Sequence, residues 1–205
     1  MAEVKLTKNE LREQQVKLAQ LERYLPTLQL KKAMLQAEVN TARLEIRALE
    51  GELSSQHKAV EEYSSLFSQT GDFHADEAVR VKQVNKRYEN IAGVEIPHYE
   101  GIIFEPFTYS LLVTPAWVDS AIAGLRRMSE AQARVQVARE KATALENELR
   151  NVSIRVNLFE KVLVPRTRDN IKKIKVFLGD QQLAAVSQAK VAKAKILRRK
   201  AEVAP

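Results

Sequence analysis

Several residue types are missing or scarce in this chain of 205 residues. It contains no cysteine, which excludes disulfide frameworks, thiol nucleophiles and cysteine-based zinc sites. Glycine and proline occur six times each, and aromatic residues make up only 6% of the chain. Because glycine and proline punctuate short elements, their scarcity predicts long, uninterrupted ones.

Long apolar runs and catalytic motifs are missing as well. No run approaches the roughly 18 residues of a membrane span, and the first eight residues lack the apolar core of a signal peptide. Neither glycine-rich phosphate-binding pattern, GxxxxGK[ST] or GxGxxG, occurs, and no nucleophile constellation is recognisable. The sequence therefore predicts a soluble, intracellular chain that is not an enzyme and holds no cofactor.

The three histidines do not indicate a metal site either. His57, His74 and His98 are far apart in the sequence. Asp72, His74 and Asp76 could in principle ligate a metal ion, but a solvated loop is the favoured interpretation of that segment. We therefore predict no metal site.

The chain does have a heptad pattern in its N-terminal part. Thr7 followed by Glu10 is typical of a capping box and predicts a helix start. Counting in sevens from Leu11 fills eleven of fourteen seam positions with apolar residues, and such sustained spacing indicates a coiled coil. Pro26 interrupts the pattern and predicts a kink or short break near Tyr24. The principal seam residues are Leu11, Leu18, Leu21, Leu28, Leu35, Val39, Ile46 and Leu49.

A second heptad pattern fills the C-terminal part. Thr114-Pro115 predicts the start of this helix, because a proline at the first helical position loses no hydrogen bond. Beyond Pro165 the phase slips, and the stripe resumes at Ile171 and Ile174. The principal seam residues are Met128, Val135, Leu145, Leu149, Val152, Val156, Phe159 and Leu163.

The middle of the chain changes period. Partial alternation of apolar residues at 78–84 and 93–104 predicts two or three short strands that form a hairpin. Pro97 confines its strand to an edge or a strand end. Since a narrow apolar seam must be covered, we expect the two long helices to pair antiparallel, with the middle segment as a small α/β cap on their far end.

These patterns give one fold prediction. The chain is mainly α, a long antiparallel intramolecular coiled coil with a small β-hairpin segment. Its parts are an N-terminal helix at 7–60, a middle segment at 61–113 and a C-terminal helix with a basic tip at 114–202, and they form one continuous structural unit.

Charge is concentrated at the C-terminal end. The formal net charge is +7, and from Lys161 onward twelve Lys and Arg residues face three Asp and Glu residues. The basic end therefore favours an acidic partner or nucleic acid, although it lacks the interleaved aromatics of many nucleic-acid sites. A solvated helix end is an equally good interpretation. The cations at its tip are Lys190, Lys193, Lys195, Arg198, Arg199 and Lys200.

Several ordered segments carry a family resemblance. The segments are 6–11 (LTKNEL), 30–35 (LKKAML), 90–97 (NIAGVEIP) and 155–160 (RVNLFE), the last followed by Pro165 and IKKI. They resemble the D subunit of the V-type and archaeal A-type rotary ATPases. The resemblance spans nearly the whole chain.

The resemblance implies a central-stalk rotor subunit of an ion-translocating ATP synthase or ATPase. It implies that the paired helices enter a hexamer of A and B subunits, with the tip cations as candidate hexamer contacts. It also implies that the F subunit binds alongside and that a connecting subunit joins the membrane rotor, on the cytoplasmic side and without membrane insertion. A nucleic-acid-binding coiled-coil hairpin and a chaperone-like helical hairpin are the alternatives that the residues leave open.

Overall fold

The computed structural model describes residues 4–62, 75–109, 115 and 117–203. Long N-terminal and C-terminal helices flank a two-stranded antiparallel sheet, which confirms the predicted fold class. In chain order the elements are helix α1 (Lys8–Glu61), a one-turn helix α2 (Ala75–Ala78), strands β1 (Val81–Ile91) and β2 (Val94–Phe104), helix α3 (Trp117–Leu158), a π-helical turn (Phe159–Leu163) and helix α4 (Val164–Val203).

Helix α1 begins where the capping signal predicts. The Thr7 hydroxyl accepts a hydrogen bond from the Glu10 backbone N–H at 3.3 Å, which satisfies one of the free donors of the first turn. The Glu10 carboxylate accepts from the Gln14 side chain at 2.8 Å instead of returning a bond to Thr7. Of the kink or short break predicted near Tyr24, the break is wrong, because α1 continues through Pro26 to Glu61, and the kink stays a prediction.

The start of the second long helix differs from the prediction. Helix α3 begins at Trp117, two residues after Pro115, and the Val118 N–H donates to the Pro115 carbonyl at 3.1 Å. Proline therefore precedes the helix instead of opening it. The predicted capping residue Thr114 lies outside the described residues, as do Asp72 and His74 of the loop considered for metal binding.

The predicted hairpin is present, and its second strand matches the expected range to within one residue, but its first strand differs. The first strand begins at Val81, not at Ala78, which ends α2, and it extends to Ile91. Ala92 and Gly93 form the two-residue turn with φ of 53° and 82°, as the mirror-image hairpin turns require. The Asn90 side chain accepts the Gly93 N–H at 2.9 Å and closes the turn.

The chain divides into two units. The central unit comprises Lys31–Val152, and the terminal unit comprises Met1–Leu30 with Ser153–Pro205. In the central unit the long helices run antiparallel, because Lys31 pairs with Glu148 while Glu52, further along α1, pairs with the earlier residue Arg134.

The hairpin lies along α3 and does not cap the end of the helix pair. Arg126 stacks over the Phe104 ring near the open end of the hairpin, with 5.1 Å from its guanidinium carbon to the ring centroid. Lys86 reaches Glu140, fourteen residues further along α3, at 2.6 Å. At the hairpin turn, a Cβ atom on Gly93 would lie 3.7 Å from the Lys31 ammonium. The expected end cap is therefore wrong, because β1 and β2 fold back against the helices.

A small apolar cluster anchors the open end of the hairpin in the central unit. Ala78, Val118 and Ile122 are buried, and Phe107, Tyr109 and Trp117 pack against them. Arg126 also donates to the Ala78 carbonyl at 3.0 Å, so the short helix α2 is tied to α3.

Candidate functional site

The predicted seam positions are placed on one face of each long helix. Leu35 and Leu145, both in the central unit, are 0% exposed, whereas the exposed large apolar side chain of Leu44 lies off the seam. All of the following residues are buried or half-buried: Leu11, Leu18, Leu21, Leu28, Leu35, Val39, Ile46, Leu49, Met128, Val135, Leu145, Leu149, Val152, Val156, Phe159 and Leu163.

Ion pairs border the seam of the central unit. Lys141 is the most enclosed of these cations, with 11% of its side chain exposed, and it reaches Glu45 at 2.9 Å. The remaining pairs between α1 and α3 are Lys31–Glu148, Arg43–Glu146, Glu50–Arg139 and Glu52–Arg134, at 2.6 to 3.8 Å. Exposed pairs of this kind contribute under about 1 kcal/mol each, so they specify register more than they stabilise.

Arg134 connects α1, α3 and the hairpin. Its guanidinium pairs with Glu130 at 2.7 Å and with Glu52 at 3.8 Å, and it lies over the Tyr99 ring at 5.4 Å. The hydrogen bond to Glu130 raises the pKa of Arg134. Burial raises the pKa of Tyr99, and the negative charge of Glu130 raises it further, while Arg134 acts in the opposite direction.

A cavity of about 280 Å³ lies beside Arg134, between the hairpin and the helix pair. Two of its lining residues, Tyr99 and Arg134, carry buried polar atoms without a hydrogen-bond partner among the described residues, at Oη and Nε. A third buried atom, His98 Nε2, lies 3.4 Å from Glu89 Oε2 but does not form a well-aligned hydrogen bond. Lys141 on its wall is paired with Glu45, and Arg134 is paired with Glu130, so positive and negative charges balance there. The chemistry fits ordered water that bridges these atoms better than it fits a charged ligand.

The terminal unit contains a change of helix type. The Val164 N–H donates to the Phe159 carbonyl, five residues earlier, as in a π-helix. The buried positions follow the heptad through Val156 and resume one residue late at Thr167 and Ile171. The π turn accommodates this surplus residue and leads directly into Pro165, which cannot donate a backbone hydrogen bond. It is the physical basis of the predicted phase slip.

Thr167 is the polar residue that the resumed stripe buries, at 4% exposed. Its hydroxyl donates to the Leu163 carbonyl at 2.7 Å, so no hydrogen-bonding group is left unsatisfied on that side chain. In the same unit Arg168 pairs with Glu22 of α1 at 2.7 Å.

The last part of α4 is exposed on every side. Each residue from 180 to 199 is exposed, and the apolar side chains of Leu183, Ile196 and Leu197 are more than half exposed. Of the predicted tip cations, Lys190, Lys193, Lys195, Arg198 and Arg199 lie in this stretch, and the Lys200 side chain lies outside the described residues. The stretch presents apolar and cationic groups together.

The sequence alone did not identify some residues that connect the hairpin with the helices. Arg134 carries no heptad or motif signal, since its importance comes from contacts with Tyr99 and Glu52 that are distant in the sequence. One signal was available for the hairpin turn: Ala92-Gly93 falls inside the resembling stretch 90–97, and Gly93 lies close to Lys31 of the stretch 30–35. Two of the family-like segments therefore meet in space.

The described residues contain neither a candidate metal cluster nor a candidate membrane span. Within residues 4–62, 75–109 and 117–203, no group of three or more His, Asp and Glu side chains is arranged to hold a metal ion. No helix in the described part of the chain combines the length and apolar character needed to cross a membrane.

Comparison with known proteins gives a consistent result. The profile of the family described as the D subunit of ATP synthase matches residues 10–194. The D subunit of the V-type ATP synthase of Chlamydia felis is 45% identical over 204 residues, covering 98% of this chain and 97% of that protein. The protein of the same name from Borreliella burgdorferi is 39% identical over 199 residues, covering 97% of this chain and 98% of that protein.

Proposed function

The chain belongs to the D-subunit family of ATP synthases, and from this premise we propose how its surfaces serve the V-type complex. It is a central-stalk subunit of a V-type ATP synthase, and the observation that carries this assignment is the family match over residues 10–194. The family match favours this function over a nucleic-acid-binding or chaperone-like hairpin. Coupling of rotation to ATP synthesis or hydrolysis follows from the position of such a subunit.

The chain acts without catalytic residues of its own in this proposal. The cavity beside Arg134 is small and already balanced in charge, which suits structural water better than a substrate. ATP chemistry then belongs to a hexamer of A and B subunits. This chain affects the chemistry by presenting different faces to successive catalytic sites, since only differential contacts can shift their open and closed states.

The exposed end of α4 is the proposed hexamer contact. It presents Lys190, Lys193, Lys195, Arg198 and Arg199 together with exposed Leu197. A mixed cationic and apolar helix suits a bearing lined by carboxylates and apolar side chains, where contact is needed in every rotary position. The F subunit and a connecting subunit to the membrane rotor complete the proposed assembly, which lies on the cytoplasmic side of the membrane.

Reconstitution tests the function directly. The synthase of the source organism is assembled from its purified subunits with and without this chain, and ion-coupled ATP turnover is measured. We expect the chain to enter the complex and coupled turnover to be lost in its absence. An assembled complex that remains fully coupled without this chain would refute the assignment.

A further inference from the structure

A cavity of about 360 Å³ lies in the terminal unit, where the start of α1 meets α4. Three cationic side chains line it: Lys5 just before α1, Lys17 within α1 and Arg166 on α4. Among the described residues the lining contains one carboxylate, that of Glu10, so three positive charges and one negative charge leave a formal charge of +2. The cavity is therefore distinctly positive.

The three cations of this cavity are not neutralised within the chain as described. Neither Lys5, Lys17 nor Arg166 has a carboxylate partner among the residues that the structure describes. In contrast, Arg168 of the same helix pairs with Glu22 at 2.7 Å. The Glu10 carboxylate accepts a hydrogen bond from Gln14 Nε2 at 2.8 Å. Because like charges around one cavity repel each other, a bound anion would stabilise this end of the unit.

The backbone at the start of α1 adds to the positive potential. Val4, Lys5 and Glu10 lie on the cavity wall, so the first turn of this helix of 54 residues borders the cavity. The N–H groups of a first helical turn carry partial positive charge. On the opposite wall Asn170 is half-buried, and its side-chain amide can donate a hydrogen bond. Donors and cations thus border the cavity from both helices.

We propose that this cavity binds a phosphate group through Lys5, Lys17 and Arg166. A phosphate group carries about two negative charges at neutral pH and accepts several hydrogen bonds at once, which matches a lining of formal charge +2. One carboxylate would neutralise only half of that charge. The bound phosphate bridges α1 and α4 and stabilises the terminal unit. This binding site goes beyond the proposed function and does not depend on it.

The ligand is inorganic phosphate and not a nucleotide. No aromatic side chain is present among the described residues that line the cavity, so a nucleotide base finds no ring on which to stack. The phosphate group is the chemistry that both molecules share, and AMP carries it with a similar charge. Inorganic phosphate should therefore bind at least as tightly as AMP, and adenosine should not bind.

Phosphate binding to the full chain tests the proposal. Sodium phosphate is titrated into the protein at low total salt, because salt screens exposed cations, and binding is followed by phosphorus NMR. We expect one saturable site with a Kd of about 1 mM or lower. The melting temperature should rise with sodium phosphate and not with sodium chloride of equal ionic strength.

Three results of this titration would contradict the proposal. The absence of saturable binding would exclude a phosphate site. Tighter binding of AMP than of inorganic phosphate would identify a nucleotide as the ligand. Equal affinity for acetate would show that the cavity recognises a single carboxylate, such as one from a partner protein.

Two matched variants locate the site. R166Q removes one cation of the cavity, whereas K175Q removes an exposed cation of α4 that does not line it. Both side chains are exposed, so each variant should melt within a few degrees of wild type without phosphate. We expect R166Q to weaken phosphate binding by about tenfold or more, and K175Q to bind as wild type does. Equal losses in the two variants would show diffuse attraction to a basic chain and would overturn the proposed site.

Discussion

At the residue scale, a few side chains connect helices and strands whose contact the heptad pattern does not predict. Arg134 contacts Glu52 of α1, Glu130 of its own helix and Tyr99 of the hairpin. The pair with Glu130 follows from i,i+4 spacing, but Glu52 and Tyr99 are distant in the sequence, so no spacing rule predicts that they meet at Arg134. The buried seam residues are different, since each follows from its place in a repeat of seven.

Removing a fully buried seam side chain should destabilise the chain. Leu145 is 0% exposed in the central unit. L145A is expected to lower the free energy of unfolding by about 2–5 kcal/mol, since a cavity adds to the lost burial of the side chain. Urea denaturation followed by circular dichroism measures the change. L44A, at an exposed position, is the control and should change stability by less than about 0.5 kcal/mol.

Tyr99 should make stability fall at alkaline pH. Burial raises its pKa in the folded state, and Glu130 adds to this, so the folded protein favours the neutral phenol. Its contribution is fully present below the unfolded pKa of about 10 and is lost as pH rises through the folded pKa. Y99F should therefore lose less stability than wild type between about pH 9 and pH 11, measured by thermal melting.

The control for this pH dependence is Y88F, because the Tyr88 side chain is 64% exposed. It should follow the wild-type pH profile. Identical alkaline profiles for Y99F and wild type would show that the Tyr99 environment does not couple folding to proton release.

At the element scale, the sequence predicts the helices and strands better than it predicts how the hairpin packs against the helices. Apolar period alone indicates α1 and α3, and the alternation at 93–104 indicates β2. Pro26 does not break α1, which continues through it, because proline in a sequence does not by itself decide whether a helix ends. The hairpin could not be placed from period, because its position along α3 depends on contacts such as Lys86–Glu140.

The π turn is a second feature whose form the sequence pattern does not determine. Heptad counting reveals that one residue is surplus near Pro165, yet a loop, a change of supercoil or a π turn could each accommodate it. The structure selects the π turn at Phe159–Leu163. The geometry of the backbone, and not the side-chain pattern, decides among these solutions.

Deleting one residue from the π turn should therefore be tolerated. Phe159 and Val164 are five residues apart, and deletion of exposed Lys161 brings them to four, which completes a regular 3-4 series with Thr167 and Ile171. The deletion is combined with P165A, because proline costs about 3 kcal/mol inside an α-helix. We expect helicity and melting temperature, measured by circular dichroism, to be retained or raised.

Deletion of Arg150 is the matched control. It removes an exposed residue from regular α-helix and puts every later seam residue out of phase. Stability should then fall by several kcal/mol, on the order of the loss from multiple buried side chains. Equal stability of the two deletion variants would contradict a role of the π turn in absorbing one residue.

At the scale of the whole molecule, stability and function are expected to depend on different parts of the chain. The buried side chains lie in the helix seams and beneath the hairpin. The surface assigned to partners is the exposed end of α4. Variants of the first class should impair folding, whereas variants of the second should impair assembly in a folded chain.

Truncation after Ser187 tests this separation. The removed stretch is exposed wherever its side chains are described, so its loss should leave the melting temperature within a few degrees of wild type. Coupled ATP turnover in the reconstituted synthase should fall, since the candidate hexamer contacts Lys190 to Arg199 are lost. Unchanged coupled turnover would show that the tip does not contribute to coupling.

The π turn also bears on how such a chain changes length over evolutionary time. In a paired helix an inserted residue normally rotates all that follows by about 100° and moves its apolar stripe away from the partner. The π-helical turn at Phe159–Leu163 accommodates one added residue within a single helical turn, and the buried apolar stripe is in register again at Thr167. A gene encoding two long paired helices can thereby acquire a codon without the compensating change in the opposite helix that the pairing would otherwise demand.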